Sequence, residues 1–161
     1  MKYMGTLIAV KDIEKAKRFY HDILGLKVVG DFGANVLLTG GIFLQTAETW
    51  KNFIHKQDEE ILFKNNAIEL YFEENDIDLF MKRLEDFNNI SYVHPLIEHR
   101  WGQRAVRFYD LDNHIIEVAE NIDMVVQRFI NSGLSIEETA VRMDVSVDYV
   151  KLSLAHPKDK D

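Results

Sequence analysis

The sequence predicts an α+β fold in which two tandem βαβββ modules form a cupped mixed sheet, with a helical appendage at the C-terminus. Three observations lead there. A strand followed by an Asp-capped amphipathic helix occurs twice, and each pair precedes three short strands. The two halves overlay at an offset of 64 positions: Asp12 falls on Asp76, Ile13 on Ile77, Asp22 on Asp86, Leu26 on Ile90 and Val29 on Val93. A capped helix recurring in register with its flanking strands decides architecture better than local propensity does. The last forty or so residues fit neither repeat and carry helical spacing instead.

Tyr3 to Val10 is short, apolar and β-branched, which reads as a strand. Asp12 is a good N-cap, and Ile13, Ala16, Phe19, Tyr20, Ile23 and Leu24 recur at helical spacing up to Gly25, a C-cap residue. Leu26–Gly30, Asn35–Thr39 and Ile42–Gln45 read as three strands, with Gly33 and Gly40-Gly41 between them. A short helix around Trp50–Ile54 and a polar loop follow. Ala67–Glu73 opens the second half, and Asp76 caps a helix with Ile77, Phe80, Met81, Leu84 and Phe87 on one face. Ile90–Val93, Arg104–Tyr109 and His114–Ala119 supply the remaining strands. The boundaries are therefore 1–64 and 65–120 for the modules, and 121–161 for the extension.

In the extension, Met124, Val125, Arg128 and Phe129 predict a helix ending near Ser132-Gly133. Ser135 and Glu138 form an S-x-x-E capping box for a second, and Val147–Leu154 forms a third. The string GLSIEETAVRMDVSVDYVKLSL has the outline of a helix-turn-helix. Few basic residues accompany it, and Asp144 and Asp148 stand where phosphate contacts would want Lys or Arg. Apolar spacing at Leu134, Ile136, Ala140, Val141, Val147 and Val150 instead predicts a packing or dimer-supporting hairpin. Pro157 and the charged end read as a frayed tail that includes His156.

Bulk properties narrow the function classes. With 161 residues, 47% hydrophobic and 29% charged, the chain can bury one substantial core. It has no cysteine, which excludes disulfides, thiolate metal sites and a thiol nucleophile. The net charge of −8 opposes phosphate-backbone binding, so no nucleic-acid partner is expected. No leader-like or membrane-length apolar run is present, so a cytoplasmic location and no membrane partner are expected.

The string IAVKDIEKAKRFYHDILGLKVV resembles the opening module of the vicinal oxygen chelate superfamily, which includes glyoxalases, bleomycin-resistance proteins and extradiol dioxygenases. WGQRAVRFYDLDNHIIEVAE resembles its closing signature, in which a D-P-D-G-H turn precedes a strand bearing a glutamate. Here Asp110-Leu111-Asp112-Asn113-His114 replaces Pro by Leu and Gly by Asn. Asn tolerates left-handed backbone, so the turn can persist. The resemblance covers residues 1 to about 120. It implies modules cupped around a small-molecule ligand and a divalent metal, often within a homodimer.

The resemblance places metal ligands on the first and last strand of each module. Carried over residue by residue, these positions are Gly5, Gln45, Glu69 and Glu117. Gly5 has no side chain, so the metal set is Gln45, Glu69 and Glu117. These are oxygen donors suited to Mg²⁺ or Mn²⁺ rather than Zn²⁺ or Ni²⁺, held weakly or not at all. Glu69 alternates with Leu70 and Phe72, which turns it away from the helix-packed face. It is either a cavity residue or an exposed, Arg-paired strand residue. Tyr71 shares its face and is a candidate ligand contact. The E-H-R-W-G-Q-R run carries His99, Trp101, Gln103 and Arg104, read either as a cavity rim or as a surface turn with Trp101 as a lid. Glu117 and His99 are the candidate acid–base groups; Trp101 and Arg104 join Tyr71 as candidate ligand contacts. Tyr109 and His114 read as structural, and His21, His55 and His94 as incidental. Three functions follow: a metal-assisted lyase, isomerase or dioxygenase; a protein that sequesters a planar cationic guest without chemistry; or a regulator coupling cavity occupancy to the tail helices.

Overall fold

Both module helices start where a carboxylate meets free backbone N–H groups. In the computed structural model, which describes residues 1–155, the Asp12 side chain accepts from the Lys15 amide and the Asp76 side chain from the Leu79 amide. The helices they open are α1 (Ile13–Leu24) and α3 (Ile77–Glu85). Gly25, left-handed at φ 70°, closes α1 as expected. No such residue follows α3, which ends at Glu85, short of Phe87. His156, Pro157 and the charged end lie outside the described residues.

The strands are β1 (Thr6–Val10), β2 (Val28–Asp31), β3 (Asn35–Leu38), β4 (Ile42–Thr46), β5 (Glu69–Glu74), β6 (Ser91–Glu98), β7 (Arg104–Tyr109) and β8 (Ile115–Glu120). They form two four-stranded sheets of order β1-β4-β3-β2 and β5-β8-β7-β6. The offset of 64 carries β1 onto β5 and β2 onto β6; with β3 and β4 matched to β7 and β8 in chain order, the two sheet orders are identical. The repeat is thus one of topology as well as local pattern. In the first sheet β1 runs parallel to β4, and β3 runs antiparallel to both β4 and β2. The short helix near Trp50 is α2 (Ala47–Phe53).

The chain forms two compact units whose limits differ from the repeat boundaries. The first holds Met1–Glu69 and the Tyr109–Ile115 turn; the second holds Leu70–Phe108 and, of the described residues, 116–155. The first unit buries Ile8, Val10, Tyr20, Val36, Leu38 and Leu44. It claims the 109–115 turn through Asp110. Asp110 Oδ1 accepts from the amides of Asp112 and His114, and Oδ2 accepts from Tyr20 Oη at 2.8 Å. His114 Nδ1 meets the same Oδ2 at 2.9 Å. Burial pushes the Asp110 carboxyl up, but the bonds from His114 and Tyr20 outweigh it and leave the group below its usual range. Asn113 takes φ 68°, the left-handed geometry that the Gly-to-Asn replacement had to supply.

The second unit contains the tail. Helices α4 (Ile122–Asn131), α5 (Ile136–Met143) and α6 (Val147–Ala155) share a core of Val125, Val126, Phe129, Ala140, Met143 and Val150. Ser135 and Glu138 complete the capping box of α5. Asp144, at φ 59°, turns the chain from α5 to α6. Val141, expected in the packed face, is instead 82% exposed. Among the described residues, no helix is long and apolar enough to cross a membrane.

One constraint bears on the site. Gly5 precedes β1 at φ 148°, and a Cβ there would lie 1.9 Å from the Gly41 carbonyl oxygen. Any side chain at position 5 must push β1 away from the start of β4. Gly5→Ala is therefore expected to cost about 2 kcal/mol or more in urea unfolding at unchanged m-value. A loss under about 0.5 kcal/mol would show that the approach relaxes freely.

Candidate functional site

Alternation along the strands of the second sheet sorts its charged residues onto two faces. On β7, Arg104 and Arg107 are three residues apart and so point oppositely. Arg104 goes to the helix side. Its Nη1 meets Asp78 of α3 at 3.0 Å, and its Nε and Nη2 meet the two Glu120 oxygens at 3.1 Å each. Arg128 of α4 grips the same carboxylate, with Nε at 3.1 Å and Nη2 at 3.0 Å. Burial alone would raise the Glu120 pKa, but the bonds from Arg104 and Arg128 hold it below its usual range. The structure therefore separates Arg104 from the aromatic residues grouped with it on sequence grounds.

Those aromatic residues occupy the other face and meet through Gln103, which the sequence placed in the same run without a role of its own. Gln103 is 8% exposed. Its Oε1 accepts from Trp101 Nε1 at 3.1 Å, and its Nε2 donates to the Glu120 carbonyl at 2.9 Å and to Tyr71 Oη at 3.3 Å. Tyr71 Oη in turn donates to Glu73 at 3.0 Å. The His99 ring stacks on Trp101 with centroids 4.5 Å apart and planes 9° from parallel. Tyr71, Gln103, Trp101 and His99 thus form one aromatic ledge. Its rings are half-exposed, while the amide that aligns two of them is buried. A buried Gln in a W-G-Q run was the sequence signal for it, since a glutamine in the interior must find partners for both ends of its amide.

Glu117 is buried, and its Oε2 forms an ion pair with Arg107 Nη2 without the alignment of a hydrogen bond. Arg107 Nη1 donates to His94 Nε2 at 3.1 Å, while His94 Nδ1 faces the Pro95 carbonyl at 2.8 Å. His94, read as incidental, is thereby the second partner of the arginine that neutralises Glu117. The sequence reading assigned Arg107 no role. Desolvation, and then the charges of Arg107 and His94, lower the His99 pKa.

Gln45, on β4, is 3% exposed, and both ends of its amide are engaged. Its Oε1 accepts from Asn35 at 2.8 Å, and its Nε2 donates to Thr49 Oγ1. Glu69 opens β5 as an exposed residue that is not without partners. Tyr109 donates to Asn66 at 2.8 Å, and His114 is held by Asp110. The resident divalent cation implied by the resemblance does not fit these donors. Position 5 cannot carry a ligand, the Gln45 oxygen already serves Asn35, and the Glu117 charge is matched by Arg107. Among the described residues, no group of three His, Asp or Glu is placed to hold a metal ion.

With the two sheets and the ledge in view, the family follows. Residues 3–123 match the family model described as a glyoxalase-like domain, and the chain belongs to that family. Solved structures agree. A protein of unknown function from Agrobacterium tumefaciens str. C58 is 35% identical at a TM-score of 0.68, over 75% of this chain and 94% of that one. A glyoxalase-related enzyme from Fulvimarina pelagi is 16% identical at 0.64, over 75% and 88%. A lactoylglutathione lyase from Agrobacterium tumefaciens is 22% identical at 0.56, over 75% and 94%. The last two likenesses show the fold alone. No curated protein matches the chain.

The His99–Trp101 stack gives a pH readout. A protonated imidazole quenches a stacked indole, so in a Trp50→Phe protein Trp101 emission should fall as His99 gains its proton. The midpoint is expected below the ordinary histidine value of about 6.5. Because the folded-state pKa is depressed, the unfolded chain binds this proton first as pH falls. His99 therefore costs no stability above about 6.5 and progressively destabilises the fold as pH drops through the window below it. A midpoint above 6.5, or a His99→Gln protein with the same titration, would refute this.

Proposed function

We propose that this glyoxalase-like protein binds a small planar molecule on the Tyr71–Gln103–Trp101 ledge and needs no metal to do so. One observation carries the reading: the buried Glu117 carboxylate is balanced by Arg107. A glutamate that serves a resident cation must offer its charge to that ion, whereas Glu117 gives its charge to a neighbour on the same sheet face. The ledge supplies what a planar guest needs. Two half-exposed aromatic side chains stand in fixed orientations, and Glu73 lies at the Tyr71 hydroxyl. Stacking with an aromatic or cationic plane would draw on both. This favours the sequestering class of function over the metal-assisted one.

The enzymatic reading keeps one observation in its favour. His99, with a pKa held below the ordinary value, is unprotonated at neutral pH and available as a base beside the same ledge. In that reading the ledge positions a substrate and His99 moves the proton, with Glu117 set apart by its arginine.

Proflavine, a planar cation, is a suitable probe. In the Trp50→Phe protein it should quench Trp101 saturably and to the same extent with and without EDTA. Read through the fluorescence anisotropy of proflavine itself, Trp101→Ala and Tyr71→Ala should each weaken binding about tenfold or more, the loss of one stacked aromatic contact. Binding that appears only with added Mg²⁺ or Mn²⁺ and vanishes in EDTA would overturn the reading and restore the metal-assisted one.

A further inference from the structure

We propose that helices α4 and α5 are a working part of the ledge. In this view Arg128 and Arg142 are positioning residues that hold the His99–Gln103 loop in the shape its aromatic pair requires. The inference rests on the reading of that ledge as the ligand site, and it deepens that reading by saying what controls the site.

The loop itself has little to fix it. It links β6 to β7 with two backbone bonds, His99 N to Gln103 O and Gly102 N to His99 O. Beyond these, the Gln103 side chain is held by Tyr71 and the Glu120 carbonyl, and the tail grips the rest of the loop. Arg142 of α5 donates through Nη1 to the Arg100 carbonyl and through Nη2 to Glu98 at 2.8 Å. Arg128 of α4 donates through Nη2 to the Gly102 carbonyl, and its Nη1 lies 3.5 Å from Glu98. Arg100 reaches back to Asp144, the residue that ends α5, at 2.9 Å. Phe129 of α4 packs so close beneath the loop that a Cβ on Gly102 would lie 2.2 Å from its ring. Both arginines also sit over that ring, at 5.0 Å for Arg128 and 5.3 Å for Arg142.

The peptide unit before Trp101 is therefore held at the Arg100 carbonyl by Arg142, the unit after it at the Gly102 N–H by the His99 carbonyl, and the next unit at the Gly102 carbonyl by Arg128. A residue whose neighbouring peptide units are both fixed has its Cα–Cβ direction fixed as well. That sets where the indole can lie, and with it the His99 stack and the bond to Gln103. Arg128 adds a rigid reference, because the same guanidinium is locked to the buried Glu120 that anchors β8. A guest on the ledge and a folded α4–α5 pair thus favour one another, and linkage makes the effect reciprocal. Whatever binds the α5–α6 hairpin could then alter the ledge without touching it.

The test uses the full-length Trp50→Phe protein and needs no ligand for its first readout. Arg142→Ala removes a half-exposed side chain outside the helical core. It is expected to raise acrylamide quenching of Trp101 about twofold while far-ultraviolet circular dichroism stays unchanged, because only the loop is released. Arg142→Lys, which keeps a donor for the Arg100 carbonyl, should restore most of the protection. Asp144→Asn, which tolerates the left-handed turn, should give a smaller rise through loss of the Arg100 pair. Unchanged quenching in a helical Arg142→Ala protein would overturn the proposal. If that variant loses helix, unchanged quenching in Asp144→Asn would overturn it instead. The second readout is proflavine affinity, expected to fall about tenfold in Arg142→Ala. Quenching that rises when proflavine binds neither protein would sink the ligand reading and leave the positioning role standing. Equal proflavine affinity in both proteins would sink the control of binding by the tail.

Discussion

The Glu120 carboxylate is held by two guanidinium forks, Arg104 from the neighbouring strand and Arg128 from the first tail helix. Taking a carboxylate out of water costs several kcal/mol, and the attraction of its partners repays that cost only when the geometry is good and the lone pairs are used. Four hydrogen bonds at 3.0–3.1 Å meet that condition. Such a cluster adds little net stability over an apolar replacement, but it tolerates few arrangements. It fixes β7, β8 and α4 in one register. The second unit inherits from it the placement of Gln103, whose amide donates to the Glu120 carbonyl, and the placement of Arg128 under the loop.

From that anchor the two faces of the second sheet acquire different work. The helix side carries Arg104, Asp78 and Glu120, all committed to one another. The other side carries the aromatic ledge and the Glu117–Arg107–His94 chain. Glu117 illustrates how little residue type says about role. A carboxylate on a closing strand can serve an ion, a substrate or a neighbour, and the residue three places from Arg104 on β7 decided the matter here. Gln45 makes the same point in the first unit, where Asn35 and Thr49 take both ends of its amide.

The tail changes meaning in the same way. Its outline is that of a helix-turn-helix, and its capping box, left-handed turn and apolar core are all formed. Its arginines are spent on the β6–β7 loop: Arg128 and Arg142 hold carbonyls and Glu98 there. The acidic Asp144 meets Arg100 of the same loop. A segment that reads as an appendage in the sequence is, in its contacts, the support of the loop that carries Trp101.

The sequence by itself determined the repeat, the caps and the succession of elements along each half. These depend on periodicity and on short-range bonds, such as Asp12 to the Lys15 amide or Asn113 accepting a left-handed turn, and both leave marks within a few residues. It also singled out Tyr71 on its strand and His99 and Trp101 in their run as separate candidate contacts, but not that they meet. Tertiary structure alone decided the partners. That Arg107 neutralises Glu117, that Arg104 belongs to Glu120, that Gly5 is pressed against the Gly41 carbonyl and that Arg142 reaches the Arg100 carbonyl are all contacts between residues distant in the chain. Charge compensation and close approach act through space over a few ångströms, whatever the separation in sequence, so no local pattern records them.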